Sequence, residues 1–146
     1  MPTFSRASLS RLRTCDPRLQ ALFREVVLRF DCAILEGVRS DERQADLYHQ
    51  GKSKLDGVRQ RSKHQAGPDG LSRAVDVAPY PIDWNVNKKA VSDRWLDFAR
   101  VVLEVADEQG VSVRWGGDWD CDWNRKTDPR HDVGQRFNDW PHWELR

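Results

Sequence analysis

The stretch RAVDVAP at residues 73–79 decides how the rest of the chain is arranged. It is a compact apolar run interrupted only by Asp76, and Pro79 and Pro81 stop it. A short apolar run that ends at proline predicts a buried strand, here over residues 73–78. A carboxylate in the middle of an apolar strand needs a partner, because an unpaired buried charge is costly. Taken alone, Asp76 could be the buried partner of an arginine such as Arg73.

Two amphipathic helices are predicted on either side of this strand, over residues 16–30 and 92–109. In both stretches apolar residues recur at steps of three and four, which is the period of a helix with one buried face. Asp16 is a favoured N-cap residue, Pro17 suits the first helical position, and Gly110 suits the position beyond a helix end. These two helices should cover the hydrophobic face of the sheet.

Shorter patterns predict the remaining elements of a small antiparallel sheet. Strands are expected at residues 33–38, 111–115 and 142–145. A further helix should begin after Ser40, whose hydroxyl can cap it, and end at Gly51. Helices and strands that do not alternate strictly are typical of the α+β class. The expected fold is thus α+β, with about three helices packed on the sheet.

Two segments without a sustained period are predicted to be loops, residues 51–72 and 116–140. The first is rich in Gly, Ser, Lys, Arg and Pro, and the second in Asp and Trp. A loop as long as the first is uncommon in a compact domain unless it is functional or mobile.

Composition and charge limit the classes of function. The 146 residues carry 24 Lys and Arg against 23 Asp and Glu, a net charge of +1, so nucleic acid and anionic membranes are not expected partners. Apolar residues make up 38% of the chain and charged residues 32%, with no repeat and no linker, which predicts one domain over residues 1–146. No stretch approaches the roughly 18 apolar residues that span a bilayer, so membrane insertion is not expected.

The cysteines and the N-terminal residues predict the cellular compartment in which the protein folds. Cys15, Cys32 and Cys121 are odd in number and lack Cys-x-x-Cys spacing, which argues against a disulfide framework and against a thiolate zinc site. Residues 1–10 contain no apolar core of signal-peptide length. These features predict folding in a reducing cytoplasm without a signal peptide.

Histidine and aspartate side chains of this chain offer the ligand types of a metal site. Zinc hydrolases usually supply three ligands from His, Asp and Glu and leave the fourth position to water. The chain has four histidines, His49, His64, His131 and His142, so the possible ligand sets are few, and His64, Asp76 and His142 are one of them. A lone histidine is more often a packed or surface residue, so no single spacing here is specific.

The three ligand candidates belong to a longer ordered pattern. It consists of Ser-x-His and a glycine, a small residue two before Asp, and an acidic residue three before a second His. The residues at these positions are Ser62, His64, Gly67, Ala74, Asp76, Asp139 and His142. This series resembles the zinc peptidase family that includes phage L-alanyl-D-glutamate endolysins, D-Ala-D-Ala carboxypeptidases and dipeptidases, and the hedgehog signalling domain. With matches through residues 37–40 and 115–119, the resemblance covers most of residues 17–146.

One departure from the family pattern lies between the first two ligands. The gap from His64 to Asp76 is longer than the family's usual spacing, and residues 68–72 look like an insertion. If this segment bulges into solvent, the ligands still converge, since surface loops tolerate additions at small entropic cost. Asp69 is an alternative ligand, but its Pro-Asp-Gly context predicts a turn, so Asp76 is preferred.

The resemblance implies a hedgehog/DD-peptidase-like fold and a role for each site residue. It assigns His64, Asp76 and His142 as the zinc ligands and leaves His49 and His131 as non-ligands, His131 being the better spare candidate. Zinc held by the three ligands would polarise a scissile carbonyl and acidify a water molecule. Asp139 would be the general base, and Arg39 would hold a substrate carboxylate or polarise the carbonyl. Ser62 would hydrogen-bond the substrate, and Trp140 would line the cleft. Taken alone, Asp139 could instead cap a turn, and Arg39 could be a solvated or ion-paired residue.

The second loop also suggests a calcium site. Asp118, Asp120, Asp122 and Asn124 recur every two residues, as oxygen ligands do in the first half of an EF-hand loop. The match lacks the central glycine and the closing glutamate, so a plain acidic surface loop is the main alternative.

The resemblance predicts an enzyme that cuts the L-Ala-D-Glu bond of the peptidoglycan stem peptide during phage-mediated host cell lysis. It implies a monomer made in the host bacterial cytoplasm that reaches the wall through a separate pore protein. One alternative is a D,D-carboxypeptidase or dipeptidase acting on D-Ala-D-Ala. The other is a non-catalytic zinc-containing binding module, for which a base such as Asp139 is not needed.

Overall fold

The fold is an α+β arrangement, seen in a computed structural model that describes residues 1–119, 121 and 139–146. Four helices and four strands lie within this part of the chain. In chain order they are α1 (Arg6–Leu12), α2 (Pro17–Arg29), β1 (Cys32–Glu36), α3 (Asp41–His49), β2 (Ala74–Pro79), α4 (Lys89–Gln109), β3 (Val113–Trp115) and β4 (His142–Leu145). The predicted α+β class is confirmed, and none of these helices is long and apolar enough to cross a membrane.

The four strands form one antiparallel sheet in the order β1-β2-β4-β3. Strand β2 lies at its centre, paired with β1 on one side and β4 on the other. In the β2–β4 register Asp76 lies opposite His142. Two residues that are 66 positions apart in sequence thus become direct cross-strand neighbours.

Alternation along the strands separates a core face from a polar face. Val75 and Val77 of β2 and Trp143 and Leu145 of β4 are buried in the hydrophobic core. Because successive strand residues point to opposite faces, Asp76 on β2 and His142 and Glu144 on β4 point away from that core. The alternation therefore places the polar residues of both central strands on one surface.

Helices α2 and α4 contribute apolar faces to the same core. The predicted cap residues lie at the start of α2 and at the end of α4. The Asp16 carboxylate accepts a hydrogen bond from the Arg18 backbone at 2.9 Å, which caps α2. Gly110 ends α4 in the left-handed conformation at φ 67°. Helix α4 begins at Lys89, three residues before the predicted start at Ser92, and Lys88 provides no side-chain cap.

Helix α1 was not predicted from the sequence. It has seven residues, too few to show a hydrophobic period, although the Ser5 hydroxyl caps it by accepting from Ser8. Two of its side chains bond the outer edge of β1: the Ser8 hydroxyl accepts from the Ile34 backbone, and Arg11 donates to the Ile34 carbonyl. The helix therefore occupies the hydrogen-bonding groups that an edge strand leaves open.

Candidate metal centre

Three side chains meet on the polar face of the sheet: His64, Asp76 and His142. His64 Nε2 lies 3.0 Å from Asp76 Oδ1 and 3.2 Å from His142 Nδ1. His142 Nδ1 lies 3.4 Å from the same Asp76 oxygen. Two imidazole nitrogens and one carboxylate oxygen thus form a compact triangle. Both imidazoles are buried, at 1% and 7% exposure.

The sheet and one tight turn place these three groups. Asp76 and His142 face each other across the β2–β4 pair. His64 is carried by a turn in which the Ser62 hydroxyl accepts from the His64 backbone at 3.2 Å and Gln65 Oε1 accepts from the Ser62 backbone at 2.8 Å. The Arg39 backbone N–H donates to the His64 carbonyl at 2.7 Å, which fixes the turn against the segment after β1.

The ring nitrogens that point away from the triangle both have hydrogen-bond partners. His64 Nδ1 lies 2.9 Å from the carbonyl oxygen of Gly37, and His142 Nε2 lies 2.9 Å from Oε1 of Glu144. Both partners are acceptors, so in a neutral ring these outer nitrogens carry the proton. The lone pairs of His64 Nε2 and His142 Nδ1 then face each other and Asp76, as metal ligands would.

The geometry fits zinc. Ligand atoms at zinc distances of 2.0–2.1 Å in a tetrahedral site lie about 3.3 Å apart. The three separations here are 3.0, 3.2 and 3.4 Å. Three protein ligands of this type leave one position open for solvent or substrate, as in catalytic zinc sites. The group can therefore hold a metal ion.

Gly37 is required at its position by the close approach of α1. A Cβ atom built on Gly37 would lie 2.2 Å from Thr14 Oγ1 and 2.4 Å from the Arg11 carbonyl oxygen. The Thr14 hydroxyl also accepts a hydrogen bond from the backbone of Val38, at 2.8 Å. The absence of a side chain lets this segment pack tightly enough for the Gly37 carbonyl to reach His64.

Hydrogen bonds between the site residues shift the pKa values of Asp76 and His142 in opposite directions. Burial opposes ionisation of Asp76, but hydrogen bonds from His142 and His64 outweigh it and hold the pKa of Asp76 far below its ordinary value. Burial would lower the pKa of His142, yet its hydrogen bonds to Asp76 and Glu144 raise that pKa to about 9. In the metal-free protein at neutral pH, a proton on His142 thus balances the buried carboxylates.

Asp139 lies in the same cleft, three residues before His142. Burial, reinforced by the nearby Asp76 carboxylate, raises the pKa of Asp139 above its ordinary value. Its backbone N–H donates to the Gly116 carbonyl at 2.9 Å, and its carbonyl accepts from His142 at 3.1 Å. A Cβ on Gly116 would lie 2.1 Å from the Asp139 carbonyl oxygen, so Gly116 permits this approach. The Asp139 backbone is thus fixed by these contacts, and its side chain lines the cleft that contains the three candidate ligands.

Arg39 is anchored rather than solvated. Its side chain is 10% exposed and donates to both oxygens of Glu36, at 2.6 and 3.2 Å, and to Gln44 Oε1 at 2.9 Å. These bonds use three of its five N–H donors. Its Nη2 lies 3.9 Å from Asp76 Oδ2. These bonds hold the guanidinium next to Asp76 of the candidate metal centre. Its remaining N–H groups can donate to another ligand.

The candidate ligands lie at the floor of a cleft of about 630 Å³. Four acidic side chains line it, Glu36, Asp76, Asp139 and Glu144. Seven basic side chains also line it, and most of them are exposed at its rim: Arg39, Arg43, Lys52, Lys54, Arg61, Lys63 and Arg114. The cleft therefore combines a carboxylate-containing floor with a cationic rim.

Two predicted substrate-binding residues lie in different settings. Ser62 lines the cleft, and its hydroxyl accepts from the His64 backbone. Trp140 does not line the cleft, contrary to expectation: it packs against the core, with its ring centroid 5.7 Å from Trp115 and 6.2 Å from Trp95. The indole that lines the cleft is Trp119, which lies 5.3 Å from the His142 ring. The chain turns at Trp140 and Pro141, and the Trp140 side chain points towards the core.

The apparent insertion at residues 68–72 forms a closed turn outside the cleft. Gly67 and Leu71 are joined by a backbone hydrogen bond of 2.9 Å, and Pro68, Asp69 and Gly70 are exposed. Asp69 pairs with Arg73 at 3.0 Å rather than approaching the candidate ligands. The extra length is absorbed at the surface, and Asp76 reaches the site from β2.

The calcium hypothesis falls mostly outside the described residues. Asp120, Asp122 and Asn124 lie there, as does the spare histidine His131. Asp118 is described: it is buried, and its backbone N–H donates to the Trp115 carbonyl at 3.0 Å. The calcium site stays a prediction.

His49 is exposed at the end of α3 and is not part of the His64, Asp76 and His142 group.

Sequence reasoning missed three contributors to the site: the Gly37 carbonyl, Trp119 and Glu144. A signal for Glu144 was present, because it follows His142 by two residues on a predicted strand and therefore shares its face. The Gly37 contact depends on α1, which the sequence did not predict. Trp119 lies in the family-matching stretch 115–119, but nothing in that match indicated that its indole would line the cleft.

A family model and two known endopeptidases are similar to this chain. Peptidoglycan L-alanyl-D-glutamate endopeptidase CwlK of Bacillus subtilis (strain 168) is 28% identical over 123 residues, which cover 79% of this chain and 60% of CwlK. The chain thus spans less than two thirds of that relative. The crystal structure of Serratia marcescens L-Ala D-Glu endopeptidase ChiX matches with a TM-score of 0.70 and 26% identity, over 99% of this chain and 91% of ChiX. The family model for phage L-alanyl-D-glutamate peptidase matches residues 2–146, and the chain belongs to this family.

Proposed function

We propose that this protein is a zinc-dependent peptidase that hydrolyses the L-Ala-D-Glu bond of peptidoglycan stem peptides. The observation that carries the proposal is the triangle of His64 Nε2, Asp76 Oδ1 and His142 Nδ1 at the floor of a cleft that also contains Asp139. Family membership and the activities for which CwlK and ChiX are named support the choice of bond.

Zinc at this site would supply Lewis-acid chemistry, polarising the scissile carbonyl and lowering the pKa of a water molecule towards 7. The chain itself supplies the proton transfer. Asp139 accepts the proton of the attacking water on a carboxylate oxygen and delivers it to the nitrogen of the leaving D-Glu. The pKa of Asp139 is raised in the metal-free protein, which makes it a stronger base than an ordinary aspartate and favours the first step.

The cationic rim is matched to an acidic substrate. A D-glutamyl residue has two carboxyl groups and uses one in the chain, so the other remains as a free carboxylate. Basic side chains at the rim, among them Arg43 and Lys52, provide opposite charge at the mouth of the cleft. Arg39 is the group best placed to bind a carboxylate or carbonyl close to the metal, through the N–H groups that Glu36 and Gln44 leave open. Ser62 lies near enough to the floor to bond the peptide backbone.

Identification of the scissile bond tests the proposal. Purified peptidoglycan is digested with the zinc-loaded protein, and new N-termini are labelled and identified by mass spectrometry. D-Glu as the new N-terminal residue is expected. Release of terminal D-alanine would instead identify a D,D-carboxypeptidase or dipeptidase. Absence of any cleavage by protein that contains stoichiometric zinc would favour the non-catalytic binding module.

We further propose that the protein acts as a monomer in phage-mediated host cell lysis, made in the host cytoplasm and admitted to the wall by a separate pore protein. The family's phage origin supports this setting. Expression in a bacterial host with and without a pore-forming phage protein tests it. Lysis only with the pore protein is expected, and lysis without it would refute the pore requirement.

A further inference from the structure

We propose that Glu144 is a positioning residue for the metal centre, holding the His142 ring so that Nδ1 faces the metal. The inference rests on the zinc site of the proposed function. Glu144 is not a ligand in this arrangement, because its contact is with the outer nitrogen of His142, on the side of the ring away from His64 and Asp76.

Strand geometry places the two side chains in contact. His142 and Glu144 are two residues apart on β4 and therefore point to the same face. Glu144 Oε1 accepts from His142 Nε2 at 2.9 Å, and the Glu144 side chain is only 8% exposed. A buried carboxylate on the outer nitrogen fixes both the orientation of the ring and the tautomer with Nδ1 free to bind metal.

The other oxygen of Glu144 is held by two cations from different segments. Arg114 Nη2 donates to Oε2 at 2.9 Å, and Lys63 Nζ lies 3.1 Å from the same oxygen. Arg114 is the register partner of Glu144 on β3, and Lys63 directly precedes the ligand His64. Lys63 also donates to the Leu145 carbonyl. The carboxylate is thus oriented from both sides, and it links the turn that carries His64 to the strand that carries His142.

A carboxylate in this position has a measurable effect on metal binding. Removing the outer partner of a metal-binding histidine typically weakens metal affinity by about 10- to 100-fold. Glu144→Ala removes the acceptor altogether. Glu144→Gln keeps an oxygen that can accept from Nε2 but removes the negative charge, so its effect should be smaller. The two variants therefore separate hydrogen bonding from charge.

The experiment measures the zinc dissociation constant of the wild-type protein and both variants by competition with a chromophoric chelator. It also records the imidazole N–H proton signals of the zinc-loaded, ¹⁵N-labelled proteins. Glu144→Ala should raise the dissociation constant by about 10- to 100-fold and speed solvent exchange of the His142 Nε2 proton. The His64 Nδ1 proton, bonded to the Gly37 carbonyl, should be unchanged and serves as the internal control.

Asp16→Asn is the matched control variant, because Asp16 is also a buried, ion-paired carboxylate but does not line the cleft. Its zinc affinity should equal that of the wild type. Wild-type affinity and an unchanged His142 proton in Glu144→Ala would overturn the role of Glu144; if that variant does not fold, the same result in Glu144→Leu, which also lacks the acceptor, decides. A wild-type protein that takes up no zinc would instead overturn the proposed function.

Discussion

Replacement of Gly37 by alanine tests how backbone packing controls the metal centre. The added Cβ would lie 2.2 Å from Thr14 Oγ1 and 2.4 Å from the Arg11 carbonyl oxygen, whereas ordinary contacts begin at 3.4 Å. Relief requires a displacement of about 1 Å, and one of the two obstacles is backbone that cannot rotate away. The Gly37 carbonyl, now 2.9 Å from His64 Nδ1, would move with the segment and lose this hydrogen bond.

Two effects of Gly37→Ala are expected. Overpacking should lower the free energy of unfolding by about 1–3 kcal/mol. Loss of the outer partner of His64 should weaken zinc binding by about 10- to 100-fold. Thermal unfolding of the metal-free protein and chelator competition measure the two quantities separately.

Gly67→Ala provides the control for this prediction. Its added Cβ would meet only the ends of two side chains, the Arg73 guanidinium at 3.3 Å and Asp69 Oδ1 at 3.5 Å. The variant should change stability by no more than about 0.5 kcal/mol, as surface substitutions usually do, and should leave zinc affinity unchanged. If Gly37→Ala unfolds at the wild-type temperature and binds zinc as tightly as the wild type, the packing argument is wrong.

Three further predictions concern catalysis, substrate charge and pH. Asp139→Asn should keep stoichiometric zinc but lower kcat by about 10²- to 10⁴-fold, because it removes the proton acceptor; undiminished lysis of outer-membrane-permeabilised cells would remove Asp139 from the mechanism. Reversing the charge of Lys52, as Lys52→Glu, should raise KM for stem peptides and leave kcat nearly unchanged, and an unaltered KM would show that this part of the rim does not meet substrate. The pKa of His142 is raised to about 9 in the metal-free protein, and zinc needs the neutral ring. Zinc binding at pH 7 should therefore release a proton, with apparent affinity rising up to about pH 9; calorimetry that shows no dependence on buffer ionisation enthalpy would contradict this.

The sequence predicted those parts of the fold that depend on local patterns. Helices α2 and α4 have long hydrophobic periods and recognisable end residues, so their existence followed from the sequence. The strand around Asp76 followed from an apolar run that stops at proline. Helix α1 could not be predicted in this way, because seven residues show little periodicity and its role comes from contacts with β1.

The candidate site also has residues that the sequence predicted and groups that it did not. His64, Asp76 and His142 were proposed from residue type and order, and the sheet brings them together through the pairing of β2 with β4. The groups that orient these ligands are harder to predict, because a backbone carbonyl such as that of Gly37 has no sequence signature. The exchange of Trp140 for Trp119 in the cleft lining depends on a turn whose direction no local pattern specifies.

The most direct test of the central claim is to locate the metal. Crystals of zinc-loaded protein would be measured on both sides of the zinc absorption edge, and anomalous difference maps would be calculated. The account predicts one peak per chain, about 2 Å from His64 Nε2, Asp76 Oδ1 and His142 Nδ1. A zinc peak bound by other residues, or none at these three atoms in active protein, would contradict it.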